Sequence, residues 1–264
     1  EISGTGVLVN LVNNYIAEQE LSDEMKEDAK SQAQSQYDSL YAYYSSDWDN
    51  FLRDYGHTSG DAFLAYLQES YMQSATIEQY VRNDVITDEE IQTYYDENIY
   101  GEITVRHILI SPDVDDDATD EEIEEAEATA LEKAKELITQ IQNSENLEED
   151  FTNLAKENSD DTGTVEQGGL LENITNESGL VEEFWEAAND LEVGEFTTEP
   201  VKTRFGYHII YKVSQKEKPS LDSVKDKVLD GLVSELLSAT DAESIYWAAL
   251  REKYNMVIYD DIIK

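Results

Sequence analysis

Two stretches of this chain decide its fold: Glu102-Ile-Thr-Val-Arg-His-Ile-Leu-Ile110 and Gly206-Tyr-His-Ile-Ile-Tyr-Lys-Val213. Both are rich in β-branched and aromatic residues, as buried strands are. Each carries one histidine, His107 or His208, and the whole chain has only 3. Strands at the two ends of one module often pair. We therefore predict that these strands are neighbours and that their imidazoles meet in the core and hydrogen-bond.

The residues between these strands predict a compact α/β module. A helical stretch leads to a polar loop that ends in Gly168-Gly169, and a second helical stretch runs from Val181 to Asp190. Pro200 to Thr203 predicts a further strand, which forms a tight hairpin with the strand that carries His208. The module should therefore be a small, antiparallel-rich sheet flanked by helices.

Helical patterns occupy both flanking segments. Before the module, Ser22 is an N-cap candidate, Ser59 or Asp61 opens a further helix, and Thr87-Asp-Glu-Glu90 has the capping-box pattern that begins a helix. After the module, an apolar stripe with helical spacing runs from Leu221 to Leu250, and Met256 to Tyr259 predicts a short strand. The C-terminal stripe needs an apolar partner, and we expect the N-terminal helices to supply it.

The predicted class is therefore α+β, with the sheet-containing module inserted in a mainly helical domain that both chain ends form. We assign residues 1–100 and 215–264 to the helical domain and residues 101–214 to the inserted domain.

The composition excludes several classes of function. With 60 acidic and 18 basic residues the net charge is −42, and so anionic a surface repels nucleic-acid phosphates and anionic lipids. It attracts cations or basic polypeptides, or it serves solubility alone.

The absence of cysteine excludes disulfides, thiolate zinc sites and a cysteine nucleophile. No apolar run is long enough to span a membrane, and the chain begins at Glu1, as a processed form without its targeting segment would.

Tyrosine is abundant in the first part of the chain. Most of these phenols should occupy core and boundary positions, where an apolar ring with a polar tip fits. The alternative is a surface that holds an extended polypeptide by stacking and hydrogen bonding. The tyrosines concerned are Tyr15, Tyr37, Tyr41, Tyr43, Tyr44, Tyr55, Tyr66, Tyr71, Tyr80, Tyr94, Tyr95 and Tyr100.

The histidine pair and one aspartate are the candidates for chemistry. A single buried histidine is usually a hydrogen-bonded core residue, whereas two in matched settings leave a core role and a functional site equally open. Asp161, in a turn-rich stretch, is a candidate partner for a buried imidazole. No third ligand has a spacing suitable for zinc, and Gly168-Gly169 lacks the lysine and the spacing of phosphate-binding loops.

In their order along the chain, these motifs resemble the parvulin family of peptidyl-prolyl cis/trans isomerases. The resemblance covers about residues 102–213. It rests on Val-Arg-His-Ile-Leu (105–109), Phe151-Thr-Asn-Leu-Ala-Lys-Glu157, Ser159-Asp-Asp161, Gly168-Gly169 and Glu199-Pro-Val-Lys-Thr-Arg-Phe-Gly-Tyr-His-Ile-Ile210. The flanking helices, with Thr87-Asp-Glu-Glu-Ile-Gln-Thr-Tyr-Tyr95 before the module, are similar to the extracytoplasmic foldases of PrsA type in Gram-positive bacteria.

The resemblance implies a set of polar site residues. The family's paired histidines fall on His107 and His208, its Asp/Cys position falls on Asp161, and its hydroxyl partner falls on Thr203. We expect these residues to hold the pocket geometry and to set the polarity around the rotating bond rather than to act as a general base.

The resemblance also implies an apolar wall that holds the substrate proline. This wall falls on Leu171, Leu180 and Phe184. The family's common Gly-Gly-Asp-Leu-Gly run reads Gly168-Gly-Leu-Leu-Glu172 here, and this departure changes the loop beside the pocket.

The loop that follows the first strand, Ser111 to Glu124, is acidic throughout, which excludes phosphopeptide selectivity by charge repulsion. EF-hand spacing is matched by Asp113, Asp115, Asp117, Glu121 and Glu124. Ala118 stands where an EF-hand needs glycine, so a solvated acidic loop is favoured over a calcium site.

We therefore predict a peptidyl-prolyl cis/trans isomerase and foldase that needs no cofactor or metal. Its partners would be unfolded or newly secreted polypeptides with X-Pro bonds, and not nucleic acid; a homodimer is left open. It would act at the outer face of the cell membrane, where an N-terminal lipid anchor, absent from this chain, holds relatives. The altered run at 168–172 favours one alternative, a chaperone whose parvulin domain is weakly active or inactive. A purely structural acidic surface protein is the other.

Overall fold

The computed structural model describes residues 4–115 and 117–256. These residues fall into two compact units: one combines the chain up to Tyr95 with the chain from Val224 onward, and the other holds Asp96–Ser223. Helices and one four-stranded antiparallel sheet make up the regular structure, so the predicted α+β class is confirmed. Of the short strand predicted at the C-terminal end, residues 257–259 lie outside the described part of the chain.

The elements follow one another along the chain largely in the predicted order. They are α1 (Gly4–Glu20), α2 (Asp23–Tyr44), α3 (Trp48–Asp54), α4 (Gly60–Tyr80), α5 (Asp88–Asn98), β1 (Ile103–Ile110), α6 (Asp120–Gln142), α7 (Leu147–Asn158), β2 (Leu170–Ile174), α8 (Glu182–Asp190), β3 (Val201–Thr203), β4 (Gly206–Gln215), α9 (Leu221–Leu237) and α10 (Ala242–Lys253).

Hydrogen-bonded caps begin three helices at the predicted positions. The Ser22 and Ser59 hydroxyls each accept a bond from the backbone N–H three residues on, at 3.2 Å and 3.1 Å. Thr87 and Glu90 bond reciprocally: the Thr87 N–H donates to the Glu90 carboxylate at 2.7 Å, and the Glu90 N–H donates to the Thr87 hydroxyl at 3.2 Å. These N-cap predictions are confirmed, with Ser59 and not Asp61 as the cap of α4, and each cap satisfies an N–H that the first helical turn leaves unpaired.

Helices from both ends of the chain share one core in the helical unit. Its buried members are Ile16, Ile77, Val81, Val233, Trp247 and Leu250. The apolar stripe after the module is therefore covered by N-terminal helices, as expected. It is not one continuous helix, however, because α9 ends at Leu237 and α10 begins at Ala242. The intervening Ser238, Thr240 and Asp241 have side chains that compete for backbone hydrogen bonds and favour a turn.

The sheet has the strand order β2-β1-β4-β3, with every neighbouring pair antiparallel. The two histidine-bearing strands, β1 and β4, are adjacent at its centre, as predicted. One face packs against α6 and α7 around Phe151 and Ile209. The other face packs against α8 through Phe184 and Trp185. The two histidines lie on this second face, because Phe184 contacts both of their rings.

The edge strand β2 is not predicted by the sequence pattern. Its residues, Leu-Leu-Glu-Asn-Ile, do not alternate between apolar and polar. Asn173 has a φ of 54°, and the register with β1 shifts between Ile103 and Val105, as at a β-bulge. The run from Gly168 to Glu172, expected to be a loop beside the pocket, is instead a glycine turn that enters this strand.

Candidate active site

The pairing of β1 with β4 places two imidazoles side by side. His107 lies opposite Ile210, and Leu109 lies opposite His208, so the two histidines are diagonal neighbours on one face of the sheet. Their ring centroids are 5.6 Å apart with an interplanar angle of 25°, and their Nδ1 atoms are 3.4 Å apart. Each residue is only 5% exposed. The predicted meeting of the two rings in the core is therefore confirmed.

A chain of hydrogen bonds runs through this pair. Asp161 Oδ2 lies 2.9 Å from His107 Nε2, and Thr203 Oγ1 lies 2.9 Å from His208 Nε2. Because a carboxylate only accepts, neutral His107 carries its proton on Nε2 and accepts at Nδ1. His208 therefore donates from Nδ1 and accepts the Thr203 hydroxyl at Nε2. All the bonds point in one direction, from Thr203 to Asp161, and every ring nitrogen has a partner.

The turn after α7 holds the Asp161 carboxylate in place. The Gly163 N–H donates to Oδ1 at 3.1 Å, and the Thr164 hydroxyl donates to Oδ2 while lying 3.2 Å from His107 Nε2. The Ser159 hydroxyl accepts from a β1 backbone N–H at 3.1 Å, which ties the turn to the sheet. Sequence reasoning missed Thr164, because this turn holds two threonines and only its folded geometry shows which hydroxyl faces Asp161.

The surroundings keep both imidazoles neutral and the carboxyl ionised. Burial lowers the pKa of His107, although the nearby Asp161 works in the opposite direction. Burial, and then the neighbouring His107, lower the pKa of His208 to about 4. Partial burial by itself raises the pKa of Asp161. The hydrogen bonds from Thr164 and Gly163, together with the His107 ring, outweigh that effect and hold this pKa below its ordinary value.

Phe184 on α8 forms the apolar side of the site. Its ring meets both imidazoles edge to face, with centroids 5.3 Å from His107 and 5.2 Å from His208. Leu171 and Leu180 are partly buried in the same hydrophobic cluster as Phe184. Phe184 itself is only 3% exposed, so the two leucines supply the apolar surface that solvent reaches. The structure thus brings together all three residues of the implied wall.

Comparison with known proteins identifies the segment that contains this site. Residues 107–214 match the family model of the PPIC-type PPIase domain, a rotamase. The chain contains a parvulin-type peptidyl-prolyl isomerase domain. Foldase protein PrsA 3 of Bacillus cereus is 33% identical over 79 residues, and this match covers 30% of the chain but only 24% of that relative.

Two solved PrsA structures share the fold over nearly the whole chain. The foldase protein PrsA from Streptococcus pneumoniae is 19% identical with a TM-score of 0.60, covering 98% of this chain and 88% of that one. The peptidylprolyl isomerase PrsA from Bacillus cereus is 23% identical with a TM-score of 0.53, covering 99% and 86%. At these identities the likeness establishes the fold. Among the described residues, no helix combines the length and the apolar character that crossing a membrane requires.

A buried lysine of the parvulin-type domain fixes the helix that carries Phe184. Lys212 on β4 is fully buried, and its Nζ donates to the carbonyls of Asn189 and Leu191 at 2.9 Å and 2.8 Å. These carbonyls lie at the C-terminal end of α8, where a cation is favourable. Burial lowers the pKa of Lys212, against the attraction of Asp190. Nothing in the apolar pattern of β4 singles out this lysine, and sequence reasoning missed it.

The last part of the acidic segment after β1 is helical. Thr119 caps α6, its backbone N–H donating to Glu122 at 2.8 Å, and the helix begins at Asp120. Glu121 and Glu124 therefore lie on the first turns of a helix. Among the residues that the structure describes, no group of three or more histidine or acidic side chains is placed to hold a metal ion.

We expect Thr164→Val to raise the pKa of Asp161, because the variant loses the hydroxyl that donates to Oδ2. It should also destabilise the parvulin-type domain by about 1 kcal/mol, the typical contribution of one such hydrogen bond. NMR titration of the Asp161 carboxyl measures the pKa. Thr162→Val is the matched control, since Thr162 belongs to the same turn but is exposed. An unchanged Asp161 pKa in Thr164→Val would show that this hydroxyl does not hold the carboxylate.

Proposed function

We propose that the parvulin-type domain is a peptidyl-prolyl cis/trans isomerase and that the whole chain is a foldase. The polar site residues are His107, His208, Asp161 and Thr203. The observation that carries this proposal is the pair of neutral, buried imidazoles held in one hydrogen-bond chain beside Phe184. The match of residues 107–214 to the PPIC-type family model supports the same activity.

The reaction requires a suitable environment rather than a reacting side chain. Rotation about an X-Pro amide has a barrier of about 18–20 kcal/mol, because resonance must be broken. The twisted amide has lost charge separation, so its carbonyl is less polar than in the planar form. An apolar site that excludes water therefore stabilises the transition state more than the ground state. No bond is made or cut, so the step uses no nucleophile, cofactor or metal.

The hydrogen-bond chain suits this task as a positioning device. Each ring nitrogen of His107 and His208 is already bonded within the chain, so neither imidazole offers a free acid or base. Asp161 anchors one end of the chain and Thr203 the other, which fixes the orientation of both rings. Neutral rings also keep charge away from the rotating bond, where a charge would favour the planar, more polar amide.

The substrate proline would bind at the wall beside these rings. Leu171 and Leu180 provide the accessible apolar surface, and Phe184 provides the contact with the imidazoles. Lys212 contributes indirectly, because it holds the C-terminal end of the helix on which Phe184 lies.

The two parts of the chain would have different tasks. Residues 101–214 act on X-Pro bonds, whereas residues 1–100 and 215–264 form a chaperone-like domain that holds the unfolded client. The similar proteins are named foldases and a peptidylprolyl isomerase, which supports an unfolded polypeptide as substrate. The resemblance to extracytoplasmic foldases supports a place outside the cytoplasmic membrane, with newly secreted chains as clients.

Exchange between cis and trans forms of X-Pro peptides, followed by NMR, tests the activity. We expect the parental protein to accelerate exchange. In His208→Ala the rate of catalysed exchange should fall at least about tenfold, which corresponds to about 1.4 kcal/mol of transition-state stabilisation. His57→Ala is the matched control, because His57 belongs to the helical unit and lies outside the hydrogen-bond chain. No acceleration by the folded parental protein would refute the isomerase.

One observation favours a second function, chaperone action without turnover. His107, His208 and Phe184 are each at most 5% exposed, so little of the polar site opens to solvent. The run from Gly168 to Glu172 also departs from the family pattern. A folded protein that suppresses aggregation of an unfolded client, but does not accelerate X-Pro exchange, would support this function instead.

A further inference from the structure

Four tyrosines of the helical unit are largely exposed around one aromatic cluster. This group, the tyrosine surface, consists of Tyr41, Tyr43, Tyr55 and Tyr66, whose exposed fractions are 52%, 81%, 66% and 52%. Aromatic side chains usually bury most of their area. Exposed apolar patches of this kind mark interaction sites.

The exposed rings rest on other aromatic rings. Tyr43 meets the half-buried Tyr44 edge-on, with centroids 5.1 Å apart. Each of the other three contacts a buried ring at a centroid distance of 4.7–6.4 Å: Tyr41 on Trp48, Tyr55 on Phe51 and Tyr66 on Phe63. These three buried rings belong to one core cluster. The outer rings are therefore positioned before a partner arrives, which lowers the entropic cost of binding.

Core packing does not explain the four outer rings. The tyrosines that pack against this core are Tyr37, Tyr44 and Tyr71, which are half-buried. The outer four leave more than half of their surface in water. The structure therefore divides the abundant tyrosines between the two roles that the sequence leaves open.

The segment that carries the tyrosine surface is strongly anionic. Between residues 38 and 69 the only lysine or arginine is Arg53, whose guanidinium donates to the Asn50 side chain. The segment also holds His57, whose ring centroid lies 5.1 Å from that of Tyr66. Six carboxylates of this segment are exposed: Asp38, Asp47, Asp49, Asp54, Asp61 and Glu69. An aromatic face among carboxylates attracts a cation and repels phosphate or carboxylate groups.

We propose that the tyrosine surface binds arginine-containing segments of unfolded polypeptide. A guanidinium group stacks on an aromatic face and pairs with a carboxylate, and this segment offers both. Tyr41 and Tyr43 lie on α2, Tyr55 directly follows α3, and Tyr66 lies on α4, so each ring is a stacking position for a guanidinium group. The proposal rests on the proposed foldase function for the nature of the client. It adds a second binding site, in the helical unit, and a chemical preference.

Peptide binding to the full chain tests this preference. The probes are short unstructured peptides in which arginine alternates with glycine and serine, and matched peptides that carry lysine or glutamate instead. We expect the arginine peptide to bind most tightly, the glutamate peptide not to bind, and added salt to weaken the binding. Equal affinity for the arginine and glutamate peptides would overturn the proposal.

Variants test the location of the site. We expect Tyr43→Ser/Tyr55→Ser to weaken binding of the arginine peptide about tenfold, because two rings are lost. Tyr15→Ser is the matched control, since Tyr15 is 52% exposed but lies on α1, outside the aromatic cluster. Unchanged affinity in the double variant would overturn the proposal. His208→Ala should bind the peptide as the parental protein does, so this result stays distinct from a failure of isomerase activity.

Discussion

Replacing Gly169 with alanine is expected to destabilise the parvulin-type domain by at least about 3 kcal/mol. This loss is severe, because the free energy of unfolding of a typical domain is only about 5–15 kcal/mol. Gly169 has a φ of +72°, and an added Cβ would lie 1.9 Å from the His107 carbonyl oxygen and 2.9 Å from the His107 nitrogen. The His107 N–H also donates to the Gly169 carbonyl at 2.8 Å. Relief of the clash therefore requires the turn to separate from the central strand that positions His107.

Hydrogen exchange of the β1 and β4 amides measures this effect within the affected unit. Gly179→Ala is the matched control, because Gly179 has a φ of +74° but nothing lies within 4 Å of its added Cβ. The control should cost only about 1–2 kcal/mol, the penalty of a left-handed backbone for a residue with a side chain. If Gly169→Ala lost no more stability than Gly179→Ala, this result would contradict the close contact between Gly169 and the His107 backbone.

The histidine pair is expected to make the parvulin-type domain less stable as the pH falls. Burial and the neighbouring His107 lower the pKa of folded His208 to about 4, whereas an imidazole in an unfolded chain titrates near about 6.5. Between these values the unfolded state binds a proton that the folded state does not, so acid favours unfolding. For His208 the loss is on the order of 3 kcal/mol by about pH 4. His107, whose pKa is also lowered, adds to it.

Protonation should also disrupt the site before the domain unfolds. A proton added to His107 enters at Nδ1, which lies 3.4 Å from the Nδ1–H of His208, and a proton added to His208 enters at Nε2, which faces the donating hydroxyl of Thr203. In either case a hydrogen bond of the chain is replaced by repulsion between two donors. Any isomerase activity should therefore fall in the same pH window. Protonation of the Asp161 carboxyl affects stability only at lower pH, because the pKa of this group in the folded state lies below its ordinary value.

Variants separate this effect from the general titration of an acidic protein. Acid neutralises carboxylates in a chain of net charge −42, and the reduced repulsion acts in the stabilising direction. His208→Asn removes one titrating ring and should flatten the fall in stability between about pH 6.5 and pH 4. His57→Asn, in the helical unit, should leave the profile of the β1 and β4 amides unchanged. Parallel profiles for the parental protein and His208→Asn would contradict a neutral, buried pair.

Local sequence pattern predicts most of the secondary structure. The strands that carry His107 and His208 are visible because their apolar runs have strand composition, and the caps at Ser22 and Ser59 involve only near neighbours in the chain. The strand β2 is not visible, because the left-handed Asn173 shifts its register and hides the alternation. The sequence pattern likewise does not predict the break between α9 and α10, because the apolar stripe continues from one helix to the next.

The sequence by itself determined which polar groups are available to the site, and the order of its motifs pointed to the parvulin family. His107, His208, Asp161 and Thr203 are all recognised in this way. Only the tertiary structure decided the direction of their hydrogen bonds, because that direction depends on which ring nitrogen faces the carboxylate.

Tertiary packing also decided the supporting groups and the division of the tyrosines. The Thr164 hydroxyl, the Lys212 ammonium and the exposed ring of Tyr43 act through contacts or exposure that no periodic pattern records. A pattern along the chain reports the average burial of an element's faces. Which atoms meet depends on how elements distant in sequence pack, and this follows only when the whole core has formed.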